Sequence, residues 1–588
     1  MPVQAGSSNM RFGTLAINPA LNPAILATAT WDVAGAWTAV SALPEGYWES
    51  VREAARGGKP LTPATTIIPH SSSCARLGES IAFLASLADK QQVFIMIGPV
   101  GNQILGEPVA QRSLASGDRL AMYPSEAGII DRFLQLKPGA GPRAMGAVPR
   151  LGIGTRMTTA MWPGIFQAMN TGGFAANTIQ NSVRELNLLE NLLAGKPAER
   201  NTAFNFGEIE SGYTGSSFEG LWVSGVLEAL KSPPSPPFGA DADHIQVKRG
   251  PHGLVRAKRL LTACRYYTFF TLDVSDILDY HALGMEGDAE DYLSAKIKPA
   301  SRLQPFLDWH QQKRRLGGQV YALDKNSISR LVGKYWDALE ALQDLVAHIA
   351  MLKAGRPFDL ELTIDEHPPE IHTFDCLTTA SELVFLTSEA QRRGLPLTHI
   401  APNFGIEKGT DYRCPDGLAG LDKRIRALMP IAQDLGVMID FHSGDDLSPA
   451  TIRTIGRATQ GHLHFKISPS LQLLFAEVLA DFHPALFRRW WEDALDYARR
   501  EAAHNSLLAQ ECVRQVEEDR GHVPSPKDSV FHHYSFAYVG RRDPQGQLLY
   551  REEFYGLSAG FYQEYQARLA RHLCNLAGEL YLPPHPLP

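Results

Sequence analysis

Several short apolar runs in this chain end in side chains that can do chemistry, and the same types recur. The run at 240–247 holds Asp241, Asp243 and His244, and the run at 267–275 carries Asp273 with Asp276 just beyond. The run at 358–366 ends in Asp365 and Glu366. Further on, 437–444 reaches His442, with Asp445 and Asp446 after it, and 462–468 carries His462, His464 and Lys466. Imidazoles from three segments can bind one divalent cation (zinc, nickel, cobalt or manganese) and leave a position open for substrate oxygens. Carboxylates beside them can take and return protons. Each residue also has a bland reading. A lone histidine is more often a core or surface residue than a ligand, and one of His462 and His464, which share a strand face, can be structural. A carboxylate after a strand often caps the next helix, which fits Asp276 and Asp446. His367, His372 and the His532–His533 pair read as loop residues, although a C-terminal segment can reach over a site.

The elements that must position these groups are legible as a pattern. Eight runs recur at 150–155, 173–179, 240–247, 267–275, 358–366, 397–403, 437–444 and 462–468. Amphipathic stretches separate several of them, such as DGLAGLDKRIRALMPIAQDLG, which ends in Gly436 as a helix C-terminal residue. Strands alternating with helices imply parallel βαβ units, and eight of them close a TIM-like (β/α)8 barrel of the α/β class. A doubly wound open sheet is the rival, and no GxGxxG turn follows any of the runs. In such a barrel the reacting groups sit at the C-terminal ends of the strands.

The barrel is expected over 148–505, with a helical insertion around 281–355. Residues 1–147 form an N-terminal accessory α/β region, and Pro138–Pro149 reads as a linker. KSPPSPPFG at 231–239 reads as a loop, and 506–588 as a C-terminal extension whose helix packs on the barrel.

The 588 residues carry a formal net charge of −7 with no basic stripe, so nothing points to nucleic acid. The opening MPVQAGSSNM lacks a secretory pattern. IAFLASLA near Ile81 makes only about two helical turns, too short to span a bilayer. A cytoplasmic enzyme without a membrane partner is the expectation, with self-association left open. The six cysteines are scattered without a CxxC pair, which argues against a disulfide framework.

From about residue 150 onward the chain resembles the tagaturonate/fructuronate epimerase family, which includes tagatose 4-epimerases. The resemblance rests on ordered motifs: IQNSVRE at 179–185, GADADH at 239–244, FTLDVSD at 270–276, the IDE at 364–366, EKGTDY at 407–412, FHSGDD at 441–446 and HLHFK at 462–466. It implies a divalent metal held by His244, His442 and His464, with Asp243 and Glu366 as the proton-transferring pair. Three positions depart from the family pattern. Thr155 precedes Arg156 where an acidic residue is usual, Pro402 stands in APN where an Arg is typical, and KISPS follows the eighth strand in place of Lys-Thr-Ala-Gly-Thr.

The implied substrate is a keto sugar or keto sugar acid, and the implied reaction inverts a hydroxyl-bearing carbon β to its ketone. The ketone does not acidify the hydrogen on that carbon, so retro-aldol cleavage, rotation and re-addition is the expected route. Arg156, Arg184 and Lys466 are candidates for a carboxylate, and Gln180, Asn181 and Asp445 for hydroxyls. A metal-dependent ketose isomerase or aldolase is the alternative enzyme, and a non-catalytic sugar-binding relative the alternative outside enzymes.

Overall fold

The computed structural model describes residues 10–12, 15–17, 32–88, 91–99, 104–194, 196–197, 200–203, 207–233, 235–284, 290–367, 371–519, 521–544 and 548–585. The opening MPVQAGSSNM thus lies outside the described residues except for Met10, and so does Pro234 of the 231–239 loop.

All eight apolar runs are strands of one closed parallel barrel: β1 (Arg150–Gly154), β2 (Ala175–Ser182), β3 (Phe238–Gln246), β4 (Phe269–Asp273), β5 (Asp359–Thr363), β6 (His399–Ala401), β7 (Met438–Phe441) and β8 (His464–Ile467). β8 pairs back onto β1, with His464 opposite Arg150. Helices follow the strands, among them α1 (Thr158–Gly172), α2 (Phe218–Lys231), α3 (Gly253–Ala263), α4 (Lys325–Lys353), α5 (Ala380–Arg392), α6 (Gly417–Asp434) and α7 (Pro449–Thr459). The stretch before α4 contains short helices and a hairpin of Arg314–Leu316 with Gln319–Tyr321. After β8 come α8 (Pro469–Phe482), α9 (Pro484–Ala503), α10 (Ser529–Tyr534) and α11 (Ala559–Glu579). The last of these packs between α7 and α1, where a barrel's eighth outer helix belongs. Glycines permit the approach: a Cβ on Gly164 would come 2.9 Å from Gln566 O, and one on Gly456 2.5 Å from Glu579 O.

The N-terminal region contains an antiparallel sheet whose central strands are Ser80–Leu87, Gln92–Gly98 and Arg119–Pro124. Phe83, Ile95 and Ile97 face a core shared with Trp48 and Val51 from the helix Glu45–Gly57. Leu84, Phe94 and Met96 alternate with them and join the barrel's core, where Phe94 meets Phe133 at 4.6 Å between ring centroids. The stretch near Ile81, measured above in helical turns, is therefore a strand. Burial on both faces gives a continuous apolar run, whose periodicity cannot separate strand from helix.

The Pro138–Pro149 segment does more than link. The Met145 and Gly146 amides donate to the Asp359 carboxylate at 2.9 and 2.8 Å, and Arg150 reaches the same carboxylate at 3.1 Å. Asp359 and Arg150 begin β5 and β1, so this segment closes the N-terminal end of the barrel. Among the described residues, no helix is long and apolar enough to cross a membrane. All six cysteines are free.

On the outer ring, buried Glu389 of α5 accepts from His310 at 2.9 Å and from Arg392 and Arg393 at 2.6 and 2.7 Å. Burial pushes its carboxyl up, but these donors outweigh it and hold the carboxyl at about 2. A depressed carboxylate contributes stability above its unfolded value, near 4.3, and loses it as pH falls through the folded one. Glu389→Gln is therefore expected to cost up to about 3 kcal/mol at pH 7 and to flatten the acid limb between about pH 5 and 2. Urea midpoints measured across that range check it, and parallel acid limbs in parent and variant would contradict it.

Candidate active site

Strand alternation alone points Asp241 and Asp243 inward and His244 outward. The structure departs from alternation here. The register of β3 against β4 shifts between Ala242 and Ile245, and His244 adopts a left-handed φ of 51°. This bulge presents Asp243 and His244 to the same space at the C-terminal mouth. Across the mouth, β7 runs directly into His442, and Ser443 beyond it also has a left-handed φ, 58°. Asp273 ends β4, and Asp365 and Glu366 follow β5.

The rings of His244 and His442 lie 4.7 Å apart, edge to face. His244 Nδ1 is 3.5 Å from Asp273 Oδ2 and 3.8 Å from Glu366 Oε1, while its Nε2 is 3.9 Å from Asp243 Oδ1. The two predicted proton carriers thus flank opposite edges of one imidazole. His442 Nε2 hydrogen-bonds Glu361 Oε1 at 2.9 Å, and its Nδ1 lies 2.9 Å from Asp365 Oδ2. Both Nδ1 atoms are buried without a hydrogen-bond partner, as is Asp365 Oδ1. His244, Asp273 and Glu366 form one set of potential ligands whose donor atoms all lie within 4.8 Å of one another. Burial pushes the Glu366 carboxyl up, but Lys408, Arg184 and His244 outweigh it and hold it well below the ordinary range.

A second set, Glu361, Asp440 and His442, lies beneath the first. It already holds a cation. The Lys466 ammonium sits 2.7 Å from Glu361, 2.9 Å from Asp243, 3.2 Å from Asp241 and 3.6 Å from Asp440, and donates to Thr271 at 2.8 Å. The sequence reading offered Lys466 to a substrate carboxylate, whereas the structure surrounds it with the protein's own. His464 also belongs to this depth: its Nδ1 is 2.6 Å from Asp440 Oδ2, and its Nε2 is 3.4 Å from Asn177 Nδ2. It joins neither set of converging ligands. The reason is depth along the strand, since His464 opens β8 while His442 follows the end of β7. Room for this packed layer comes from Gly152, where a Cβ would meet Gln180 Oε1 at 2.4 Å and Lys466 Cγ at 2.7 Å.

Above the imidazoles opens a cleft of about 1020 Å³, its solvent-facing mouth included. Arg156, Arg184 and Gln180 line it. Glu185 holds Arg156 at 3.1 Å and accepts from the Tyr213 hydroxyl at 2.9 Å. Arg184 lies 3.6 Å from Glu366 Oε1. Gln180 Oε1 is buried without a hydrogen-bond partner. Asp445 lines the cleft too, but its oxygens accept from the Ser468 amide and, at 3.1 Å, from the Ser470 amide at the start of α8. The helix-capping role expected for Asp446 falls to Ser448, whose hydroxyl accepts from the Thr451 amide at 3.3 Å at the start of α7. Asp446 instead joins the Gly409 amide at 2.9 Å to His532 at 3.1 Å.

Sequence reasoning gave Glu361, Asp440, Tyr213 and Lys408 no role. For the first two a signal existed, because each is a carboxylate inside an apolar strand.

A closed parallel barrel whose C-terminal mouth gathers imidazoles, carboxylates and arginines defines an enzyme of the (β/α)8 class. Comparison with known proteins narrows the class. The UxaE tagaturonate epimerase family profile matches residues 210–577, well over half of the chain, so the chain belongs to the tagaturonate epimerase family, a family of isomerases. Similar solved structures include fructuronate-tagaturonate epimerase UxaE from Cohnella laeviribosi in two glycerol complexes. Both are 19% identical, and both alignments cover 91% of this chain. The one-glycerol form has a TM-score of 0.62 over 99% of its own chain, and the two-glycerol form 0.64 over 100%. The native form of the same enzyme, also 19% identical, gives 0.61 over 90% of this chain and 99% of its own. No curated protein matches the chain.

Proposed function

We propose that the chain interconverts tagaturonate and fructuronate with a divalent cation held by His244 and Asp273, with His442 and Asp365 beside them. The observation that carries this reading is the convergence of the His244, Asp273 and Glu366 donor atoms within 4.8 Å of one another at the barrel mouth, beside the His442–Asp365 pair. The donor set fits a cation. Glu361 accepts from His442 Nε2, which fixes the tautomer and leaves the Nδ1 lone pair for a metal. Mixed imidazole and carboxylate ligation suits zinc, manganese, nickel or cobalt. Asp273 takes the place that the resemblance gives to His464.

When bound, the cation would act as a Lewis acid on the ketone and its neighbouring hydroxyl and stabilise an enediolate. Arg156 and Arg184 orient the substrate by its carboxylate. One member of the Asp243–Glu366 pair takes the proton of the β-hydroxyl, the adjacent carbon–carbon bond breaks, and its electrons pass to the ketone fragment. The released aldehyde rotates, the enediolate re-adds to its other face, and the proton taken at the start passes back through the pair to the new alkoxide. Lys466 holds Asp243 in place from below.

The test is NMR of tagaturonate with purified enzyme, with and without chelator. Metal-dependent appearance of fructuronate is expected, whereas a three-carbon product would point to an aldolase and an aldose to an isomerase. Glu366→Gln is expected to keep its metal and lose turnover, and loss of metal would move Glu366 into the ligand set. Wash-out of hydrogen from the inverted carbon would reject the retro-aldol route.

A further inference from the structure

The cleft has a wall that the barrel does not supply. His532, His533 and Phe536, more than sixty residues beyond β8, line it together with residues of the strand ends. The segment carrying them is firmly seated. Val530, Phe531 and Tyr534 are buried, and Phe531 packs on Phe487 and Trp490 at 5.4 and 5.1 Å between centroids. Ser535 is held at both its carbonyl and its hydroxyl, by Trp490 Nε1 and by Gln472 Nε2, each at 2.8 Å.

From this seat the segment spans the mouth. On one side His532 meets Asp446, which also accepts from the Gly409 amide, next to the Lys408 that pairs with Glu366. On the other side Phe536 packs on Tyr213 at 4.6 Å, and Tyr213 shares Glu185 with Arg156. Between these two anchorages His533 turns into the cleft. Its Cε1 would lie 3.3 Å from a Cβ on Gly409, so a side chain there would crowd the imidazole.

We propose that His533 is a substrate-binding residue of the epimerase site, placed over the barrel mouth by the C-terminal segment to hydrogen-bond a hydroxyl of the keto sugar acid. The inference rests on the substrate named under Proposed function. A hydroxyl fits this position better than the carboxylate does. Burial and the neighbouring His532 hold the imidazole down to about 4, so the ring is neutral and both donates and accepts. The two arginines that suit an anion lie at Arg156 and Arg184, beyond Tyr213.

The experiment compares tagaturonate binding by calorimetry and steady-state turnover in the metal-loaded parent, His533→Ala and His533→Gln. The alanine variant is expected to raise Kd and KM about tenfold, the scale of one lost hydrogen bond. Its metal content and melting temperature should stay unchanged, and glutamine should restore most of the loss. If the alanine variant fails to fold, His533→Phe, which keeps the ring's volume, carries the same test. Kd and KM within twofold of the parent in a folded variant overturn the proposal. A parent that neither binds nor converts tagaturonate instead overturns the substrate assignment, and the ligand named here falls with it.

Discussion

On the function proposed above, His244→Gly is expected to abolish metal binding and turnover together while leaving the protein folded. Glycine is the informative replacement, because position 244 has a φ of 51° and glycine adopts that backbone without strain. What disappears is an imidazole within 4 Å of Asp273, Glu366 and Asp243. A Lewis acid supplies several kcal/mol of transition-state stabilisation, so its loss is expected to lower kcat/KM by at least about 10³-fold. Metal analysis of the purified variant and NMR of tagaturonate check it. Full metal occupancy with near-parental activity would remove His244 from the centre of the site.

Lys466→Met produces the largest loss of stability expected of any single change in the barrel. The ammonium is buried beside Asp241, Asp243, Glu361 and Asp440. Methionine keeps most of the side chain's apolar length and removes the ammonium with its hydrogen bonds. Four carboxyl groups are then left in a dry barrel without their cation, and breaking a buried pair in this way costs about 3–5 kcal/mol. The urea midpoint, or the half-life at elevated temperature where refolding is incomplete, is expected to fall accordingly. An unchanged midpoint would mean that the carboxylates had found other partners.

The sequence made the barrel legible because each strand lies in a short, mainly apolar run followed by a polar turn, and the runs number eight. It also made the mouth legible, since His442 and Glu366 stand at or near run ends. Two features escaped. One is the inward turn of His244, which depends on a bulge that no alternating pattern announces. The other is depth. His442 follows MIDF and so stands at the mouth, whereas His464 precedes FKI and so stands near the floor. That order was visible in the letters, but apolar periodicity weighs which face a residue takes rather than how far along the strand it lies. Glu361 and Asp440 were passed over for a related reason. Barrel interiors are usually filled by branched apolar side chains, so an acid within an apolar run reads as an exception rather than as the interior itself.

The floor of the barrel has a consequence for how this protein can be cut. Asp359 on β5 draws two of its three donors from the Met145 and Gly146 amides, main chain that arrives from the N-terminal sheet by way of the helix Ala127–Leu136. An excised barrel starting at its first strand would retain every residue of the reaction centre yet leave that acid, and the guanidinium it neutralises, open to water. The leading sheet and the catalytic barrel are in this sense a single folding unit, with the seam lying beneath the chemistry.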